Sequence, residues 1–131
     1  MTAEEFEAWL ERAESNLNIA RLGKRERVFL EDLCFEAQQA AEKAIKALLV
    51  RLSGEYPRTH SFTVLLQVLG RHVPVPESIR EVVELSDYAV QVRYPGEYYP
   101  VTEDEYERAL MLAERVLDWV RRAAAEGQAS M

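Results

Sequence analysis

The sequence is poor in the residues that build disulfides and metal sites. Its 131 residues contain one cysteine and two histidines. A single cysteine cannot form an internal disulfide, which favours a reducing compartment or a fold that needs no covalent staple. No C-x-x-C, H-x-x-x-H or H-E-x-x-H spacing exists for zinc, and no Glu-x-x-His pair for a di-iron bundle. We therefore expect no metal and no cofactor, and we interpret Cys34 as a core residue.

Glycine is scarce too, and long apolar runs are missing. Five scattered glycines form neither a G-x-G-x-x-G pattern nor a P-loop, so the usual phosphate-cradling loops are excluded. The longest stretch without a charged residue covers positions 59–70, well short of the roughly 20 apolar residues that cross a bilayer. The N-terminal residues lack the basic and apolar parts of a secretory signal. These absences predict a cytoplasmic protein.

Acidic residues outnumber basic ones by 23 to 16, which gives a formal net charge of -7. Such an excess opposes the coating of nucleic-acid phosphates or anionic membranes, so we expect no non-specific DNA binding and no membrane partner. The length and the 48% hydrophobic content fit a single compact domain over residues 1–131. A local basic site for one anionic ligand is still compatible with this balance.

Apolar residues recur at spacings of three and four, which predicts helices, while period two appears nowhere for long. The first helix starts at the capping-box pair Thr2 and Glu5 and continues until Gly23. The second helix, from about Phe29 to Leu52, is the longest and should be central.

Three further helices follow the central one. The third carries apolar residues over 62–69 and is stopped by the prolines of 73–76, and the fourth carries them over 79–90. A second capping-box pair, Thr102 and Glu105, starts the fifth helix, which runs towards Gly127. Because the connections are short, we expect an all-α, up-and-down antiparallel bundle of about five helices.

Three segments carry a resemblance to a known family. The second helix reads CFEAQQAAEKAIKALL over 34–49, RTHS occupies 58–61 at the start of the third helix, and VRYPG occupies 92–96 after the fourth. In this order and on these elements, the segments resemble the HEPN domain, a small helical domain of prokaryotes and higher eukaryotes. The resemblance covers nearly the whole chain. It implies a helical bundle, frequent homodimerisation and genetic pairing with a minimal nucleotidyltransferase in toxin-antitoxin-like modules.

Some members of that family are ribonuclease toxins with an Arg-x4-6-His motif. No arginine stands at positions 53–55 before His60 or at 65–67 before His72, and no histidine stands at 98–100 after Arg93. The sequence thus resembles the branch that lacks this motif. We expect a domain that is not an enzyme, with metal-independent RNA cleavage at a displaced active site as an alternative.

The candidate ligand-binding residues are Gln38, Glu42, Arg58, His60, Arg93 and Tyr94. Gln38 falls inside the apolar stripe of the second helix, so it either pairs within the core or faces a groove together with Glu42 and Arg93. Arg93 closes the fourth helix and either bonds terminal carbonyls or donates to a phosphate. Lys46, with Gln39 and Lys43, is predicted to point further round, into solvent or a dimer surface.

Two alternatives also stand for the loop residues. His60 either helps to cap the third helix or joins Arg58 and nearby backbone N–H groups in binding an anion. Tyr94 belongs to a group of five tyrosines between residues 88 and 106, which either pack at a core edge or subunit interface or stack on a base.

These patterns and the resemblance lead to one functional expectation. We expect a non-catalytic HEPN-type domain that binds a nucleotide or similar anionic ligand and pairs with a minimal nucleotidyltransferase. A homodimerising interaction module without a small ligand is one alternative. A ribonuclease toxin is the other.

Overall fold

The computed structural model describes residues 2–89 and 100–129. Its five α-helices and one 3-10 helix are, in chain order, α1 (Thr2–Ala20), α2 (Leu30–Ser53), α3 (Phe62–Leu69), α4 (Glu77–Arg80), the 3-10 helix (Glu81–Tyr88) and α5 (Glu103–Ala129). The described residues include no strand, and a single β-bridge joins Arg25 to Val28. The predicted all-α helical bundle is confirmed.

Helix α2 is the central element of the bundle. It packs along α1 and α5 and also contacts α3 and the 3-10 helix. Five of its alanines are fully buried: Ala37, Ala40, Ala41, Ala44 and Ala47. Small side chains let neighbouring helices approach closely, because their surface ridges are low. Larger residues of the same helix, such as Ile45 and Leu48, are fully buried between them and fill the core.

The ends of the long helices show the expected capping chemistry. Helix α2 is capped by Gly54, which follows its last residue, has φ 82 and donates its N–H to the carbonyl of Val50. At the start of α5, the Thr102 N–H donates to Glu105 Oε1 at 3.1 Å, and the Glu105 N–H donates to Thr102 Oγ1 at 3.1 Å. This reciprocal capping box is the one that the sequence predicts.

The turn between α1 and α2 is basic and exposed. Gly23 and Arg27 both have positive φ, 75 and 65, and the Val28 N–H donates to the Arg25 carbonyl at 3.2 Å. Phe29, the residue before α2, is 70% exposed and supplies no side-chain cap. The hairpin of α1 and α2 therefore ends in a tight turn whose cationic and aromatic side chains face solvent.

The fourth helix differs from the sequence prediction of one α-helix over 79–90. A four-residue α4 passes directly into a 3-10 helix that ends at Tyr88. Its buried residues, Ile79, Val82 and Leu85, recur every three positions, and a 3-10 helix has about 3.0 residues per turn. Val83, which an α-helical pattern counts as core, is instead 40% exposed. Residue 90 lies outside the described part of the chain.

Arginines of α5 hold this 3-10 segment at the surface. Arg108 donates to Glu81 and Glu84, and Arg115 donates to Glu81 and to the carbonyl of Ser78. The hydrogen bond from Arg108 holds the pKa of each glutamate below its usual value. These groups are solvated, so the buried apolar residues, rather than the ion pairs, provide most of the attachment.

Polar contacts tie α1 to its neighbours. Asn16 donates to Glu36 Oε1 at 2.6 Å and accepts from Lys43 Nζ at 2.8 Å, which links α1 to α2. The Tyr106 hydroxyl of α5 donates to the carbonyl of Ala20 at the end of α1, and burial raises the pKa of that hydroxyl. No helix over the described residues has the length and apolar character needed to cross a membrane.

Candidate ligand-binding site

Three polar residues of α2 form a buried row inside the bundle. Gln38, Glu42 and Lys46 are spaced by four residues, so each lies about one helical turn after the last. All three are buried, in a helix whose other buried residues are apolar. Charged side chains are rarely buried without partners, because losing water around an uncompensated charge is costly.

Within this row, the Glu42 carboxylate accepts hydrogen bonds from both neighbours and balances the charge of Lys46. Gln38 Nε2 donates to Glu42 Oε1 at 3.0 Å, and Lys46 Nζ donates to Glu42 Oε2 at 2.9 Å. Gln38 Oε1 in turn accepts from Gln39 Nε2 at 2.7 Å. Among the described residues, no buried side-chain nitrogen or oxygen lacks a hydrogen-bond partner.

The third partner of this carboxylate is His60, which arrives from the loop between α2 and α3. His60 Nδ1 lies 2.9 Å from Glu42 Oε2. An ionised carboxylate only accepts hydrogen bonds, so Nδ1 carries the proton and donates it. The His60 side chain is 78% exposed, while that of Glu42 is 3% exposed. A buried anion therefore fixes the orientation of an imidazole whose Nε2 has no partner among the described residues.

The contacts around Glu42 determine its charge state. Burial acts to raise the pKa of Glu42, but the hydrogen bonds from Lys46, His60 and Gln38 outweigh it and hold the pKa below its usual value. The carboxylate is consequently ionised at neutral pH. It can then accept from a protonated Nδ1 in either the neutral or the cationic form of the imidazole.

Lys46 lies beneath an aromatic pair. Its Nζ is 5.5 Å from the ring centroid of Tyr56, and the Tyr56 ring meets Trp9 of α1 edge to face at a centroid distance of 5.0 Å. The prediction that Lys46 points into solvent or a dimer surface is wrong. Glu42 one turn earlier neutralises its charge and the Tyr56 ring covers it, so burial is tolerated.

The start of α3 shows which residue caps the helix. Ser61 Oγ accepts from the Val64 N–H at 3.2 Å, and Thr59 Oγ1 accepts from the Ser61 N–H at 3.1 Å. His60 takes no part in capping, because its Nδ1 is bonded to Glu42. Arg58, two residues earlier, is exposed, and no hydrogen bond or ion pair joins its guanidinium to another described residue.

The structure brings together half of the sequence-derived candidates. Gln38, Glu42 and His60 are in one hydrogen-bonded cluster, with Arg58 in the adjoining loop. Arg93 and Tyr94 lie outside the described residues. Lys46 and Tyr56 were missed as parts of this cluster, although the Gln-x3-Glu-x3-Lys spacing is visible in the sequence and places three polar groups along one row of a helix.

Comparison with protein families matches residues 6–123 to the HEPN domain. The chain belongs to the HEPN family. Two solved structures are similar to this HEPN domain. One is ST0689, an archaeal HEPN homologue, at 33% identity and a TM-score of 0.72, over 92% of this chain and 98% of that one. The other is TT1696 from Thermus thermophilus, at 37% identity and a TM-score of 0.74, over 90% of this chain and 97% of that one. No curated protein matches.

The geometry of this HEPN domain allows one kind of chemistry in particular. An exposed imidazole held by a buried carboxylate is a pre-oriented hydrogen-bonding group. The Arg58 guanidinium in the same loop bonds to no other described residue and is a planar donor suited to phosphate oxygens. No group of three or more His, Cys, Asp or Glu residues within 2–89 and 100–129 is placed to hold a metal ion. The arrangement favours an anionic group bound by side-chain donors.

Proposed function

We propose that this HEPN domain binds a nucleotide or a similar anionic ligand at the junction of α2 and α3. The observation that carries the proposal is the exposed His60 imidazole, fixed at Nδ1 by the buried Glu42 carboxylate. With Nδ1–H bonded to Glu42, Nε2 donates to an anionic ligand in the imidazolium form of the ring. Fixing the ring before the ligand arrives reduces the conformational entropy lost on binding. Arg58 adds a second donor from the same loop.

The other candidates have different roles in this proposal. Gln38 and Glu42 are buried, so they act as positioning residues that orient His60 rather than as ligand contacts. Lys46 maintains the charge of Glu42. Arg93 and Tyr94 are proposed to add a further phosphate donor and an aromatic contact, on the ground of their residue types and their place in the RYPG segment.

The proposal has a second part, which concerns assembly. Membership of the HEPN family supports a homodimer and a partnership with a minimal nucleotidyltransferase. Co-expression with a nucleotidyltransferase encoded beside this chain, followed by size-exclusion chromatography with light scattering, tests both. We expect a mass of two HEPN chains alone and a larger complex with the partner. A monomer that elutes apart from the enzyme at micromolar concentration would contradict this part.

Calorimetric titration with purified nucleoside mono-, di- and triphosphates tests ligand binding. We expect His60→Ala and Arg58→Ala each to weaken the tightest-binding nucleotide by about tenfold or more, because each removes one phosphate donor: the guanidinium of Arg58, or the Nε2–H of the imidazolium form of His60. Arg12→Ala is the matched control, since Arg12 is an exposed arginine of α1 outside this loop. Binding that is undetectable for every nucleotide, or equally weakened by all three variants, would contradict the proposal.

The contact between Glu42 and His60 also favours a second candidate, metal-independent RNA cleavage. A carboxylate that orients an imidazole can prepare it as a general base or acid. This candidate predicts cleavage of single-stranded RNA that is abolished in His60→Ala and reduced in Glu42→Gln. Purified protein that leaves diverse RNAs intact would eliminate it, with heat-denatured protein as the blank.

A further inference from the structure

A surface groove lies along the first part of the loop that leads from α2 to His60, and Tyr56 is its one lining residue whose contacts have been described so far. It is bounded by the end of α2, the loop that follows it and the end of α3, and it has a volume of about 430 Å³. Its lining consists of Ser53, Glu55, Tyr56, Pro57, Val68, Arg71 and His72, so the Glu55 carboxylate lies in the same groove as the two basic side chains. This volume is within the range of about 300–1,000 Å³ that is typical of small-molecule sites.

The groove combines an apolar wall with polar ends. Tyr56, Pro57 and Val68 offer flat or aliphatic surface. The Tyr56 ring is also in edge-to-face contact with Trp9 and lies 5.5 Å from the Lys46 ammonium. Arg71 and His72 are exposed, and no hydrogen bond or ion pair joins either side chain to another described residue. A flat heterocycle with hydrogen-bond acceptors on its edge matches such a lining.

Tyr56 of the groove and His60 of the neighbouring site are anchored to successive turns of α2. Tyr56 covers Lys46, and His60 bonds Glu42, so the two loop residues are anchored one helical turn apart, about 6 Å along the helix. Pro57 in the groove precedes Arg58 directly in the chain. A ligand that fills both places must therefore carry a flat ring and an anionic group separated by a short linker.

We infer that the groove is the base subsite of the nucleotide, with the heterocycle against Tyr56, Pro57 and Val68 and the phosphate at Arg58 and His60. This inference rests on the proposed function. With a base subsite beside the phosphate site, the preferred ligand is a nucleotide and not a free polyphosphate. Arg71 and His72 donate to acceptors on the edge of the base.

A substitution that fills the groove distinguishes ligand binding at the base subsite from binding at the phosphate site. Val68→Trp places a bulky ring in the groove from a partly exposed position, and Val64→Trp, one turn earlier on α3 and also exposed, is the matched control. Each protein is titrated with a nucleoside monophosphate and with inorganic pyrophosphate. We expect Val68→Trp to weaken the monophosphate by about tenfold or more and to leave pyrophosphate unchanged, with no effect in Val64→Trp.

Arg71→Ala gives a second test at an exposed position where folding is not at risk. It should weaken the monophosphate and leave pyrophosphate unchanged, because Arg71 is assigned to the base. If both variants bind the monophosphate as wild type does while His60→Ala loses it, the base subsite is disproved and the proposed function stands. If wild type binds neither probe, the proposed function itself fails.

Discussion

Glu42 shows how a single charged residue can be accommodated in a helical core. Its carboxylate receives hydrogen bonds from Gln38, Lys46 and His60, so two cationic or polar neighbours on its own helix and one from a loop replace the water it lost. Breaking such a set from one side is more costly than removing it whole, because a charge is then left buried without a partner.

Glu42→Gln tests this compensation. At neutral pH we expect the variant to lose about 3 kcal/mol of unfolding free energy, because buried Lys46 loses its counter-charge. The pKa of Glu42 is lowered by folding, so its contribution is complete above the ordinary carboxyl value of 4.5 and is lost as the pH falls through the folded pKa. Urea unfolding at a series of pH values should show the difference between the proteins shrinking below about pH 4.5.

The double variant Glu42→Gln, Lys46→Met is the control for that experiment. It removes both charges, so we expect it to recover much of the stability that Glu42→Gln loses at neutral pH. A double variant no more stable than the single one would show that the ion pair is not the source of the effect.

Substitution of Gly23 measures the energetic cost of a left-handed backbone conformation separately from any change in packing. Its φ is 75, and a Cβ added there would meet no atom within 4 Å, so Gly23→Ala adds left-handed strain without a clash. We expect a loss of about 1 kcal/mol in thermal or urea unfolding. Gly70→Ala is the comparison, because Gly70 has φ -62 and its added Cβ comes no closer than 3.3 Å to the Leu66 carbonyl oxygen. An equal loss in both variants would contradict the assignment of the cost to φ.

At the scale of the element, the packing of α2 requires small residues at the positions where other helices contact it. Ala44→Leu adds three carbon atoms at a position with no exposed surface. We expect it to destabilise the protein by about 1–3 kcal/mol in urea unfolding, because a close-packed core must shift to admit them. Ala8→Leu on the exposed side of α1 makes the same chemical change and should alter stability by less than about 0.5 kcal/mol.

The capping box of α5 gives a second test at this scale. Thr102→Ala removes the Oγ1 that accepts from the Glu105 N–H. We expect a loss of about 1 kcal/mol in unfolding free energy, measured by urea titration. Thr102→Ser keeps the hydroxyl and should retain most of the stability. If Thr102→Ser lowered the unfolding free energy as much as Thr102→Ala, the loss would come from the methyl group and not from the hydroxyl.

The helices differ in how far the apolar spacing of the sequence determines their geometry. The apolar periods of α1, α2, α3 and α5 predict those helices because a spacing of three and four residues is read directly from the chain. The prediction of one α-helix over 79–90 is wrong, because most of this segment is a 3-10 helix. Spacings of three occur in both α and 3-10 helices, so Ile79, Val82 and Leu85 do not distinguish the two.

The candidate site was predictable only in part, for a related reason. The position of Gln38 in an apolar stripe marks it as a buried polar group, and Glu42 follows one turn later. Which loop residue reaches that carboxylate is set by the path of residues 54–61, which no periodicity encodes. His60 could therefore be selected as a candidate, but its contact with Glu42 and the burial of Lys46 needed three-dimensional information.

At the scale of the whole molecule, the dominance of α2 predicts cooperative unfolding. Helices α1 and α5 both pack on α2, and each carries one of the two tryptophans, Trp9 and Trp119. Trp119→Phe leaves a fluorescence probe in α1, and Trp9→Phe leaves one in α5. In each single-tryptophan protein, we expect the fluorescence and circular dichroism transitions in urea to coincide, because neither outer helix can retain its core without α2.

Adding Leu48→Ala to each of the two proteins sharpens that test. Leu48 is fully buried in α2, so the truncation should lower the unfolding free energy by about 2–5 kcal/mol. The loss should be the same whichever tryptophan reports it. Separate transitions, or a loss seen by one probe alone, would show that α1 or α5 unfolds independently.

The basic turn between α1 and α2 lies at the same end of the bundle as several acidic residues. Residues 21–29 contain four basic residues and one acidic residue, while the other 122 contain 12 basic and 22 acidic residues. Arg21 of the turn pairs with Glu114. The Tyr106 hydroxyl bonds the carbonyl of Ala20, which brings the acidic first turn of α5 to this end as well. The positive potential of the turn is therefore short-ranged, because the nearby carboxylates oppose it and salt screens exposed charges beyond about 10 Å.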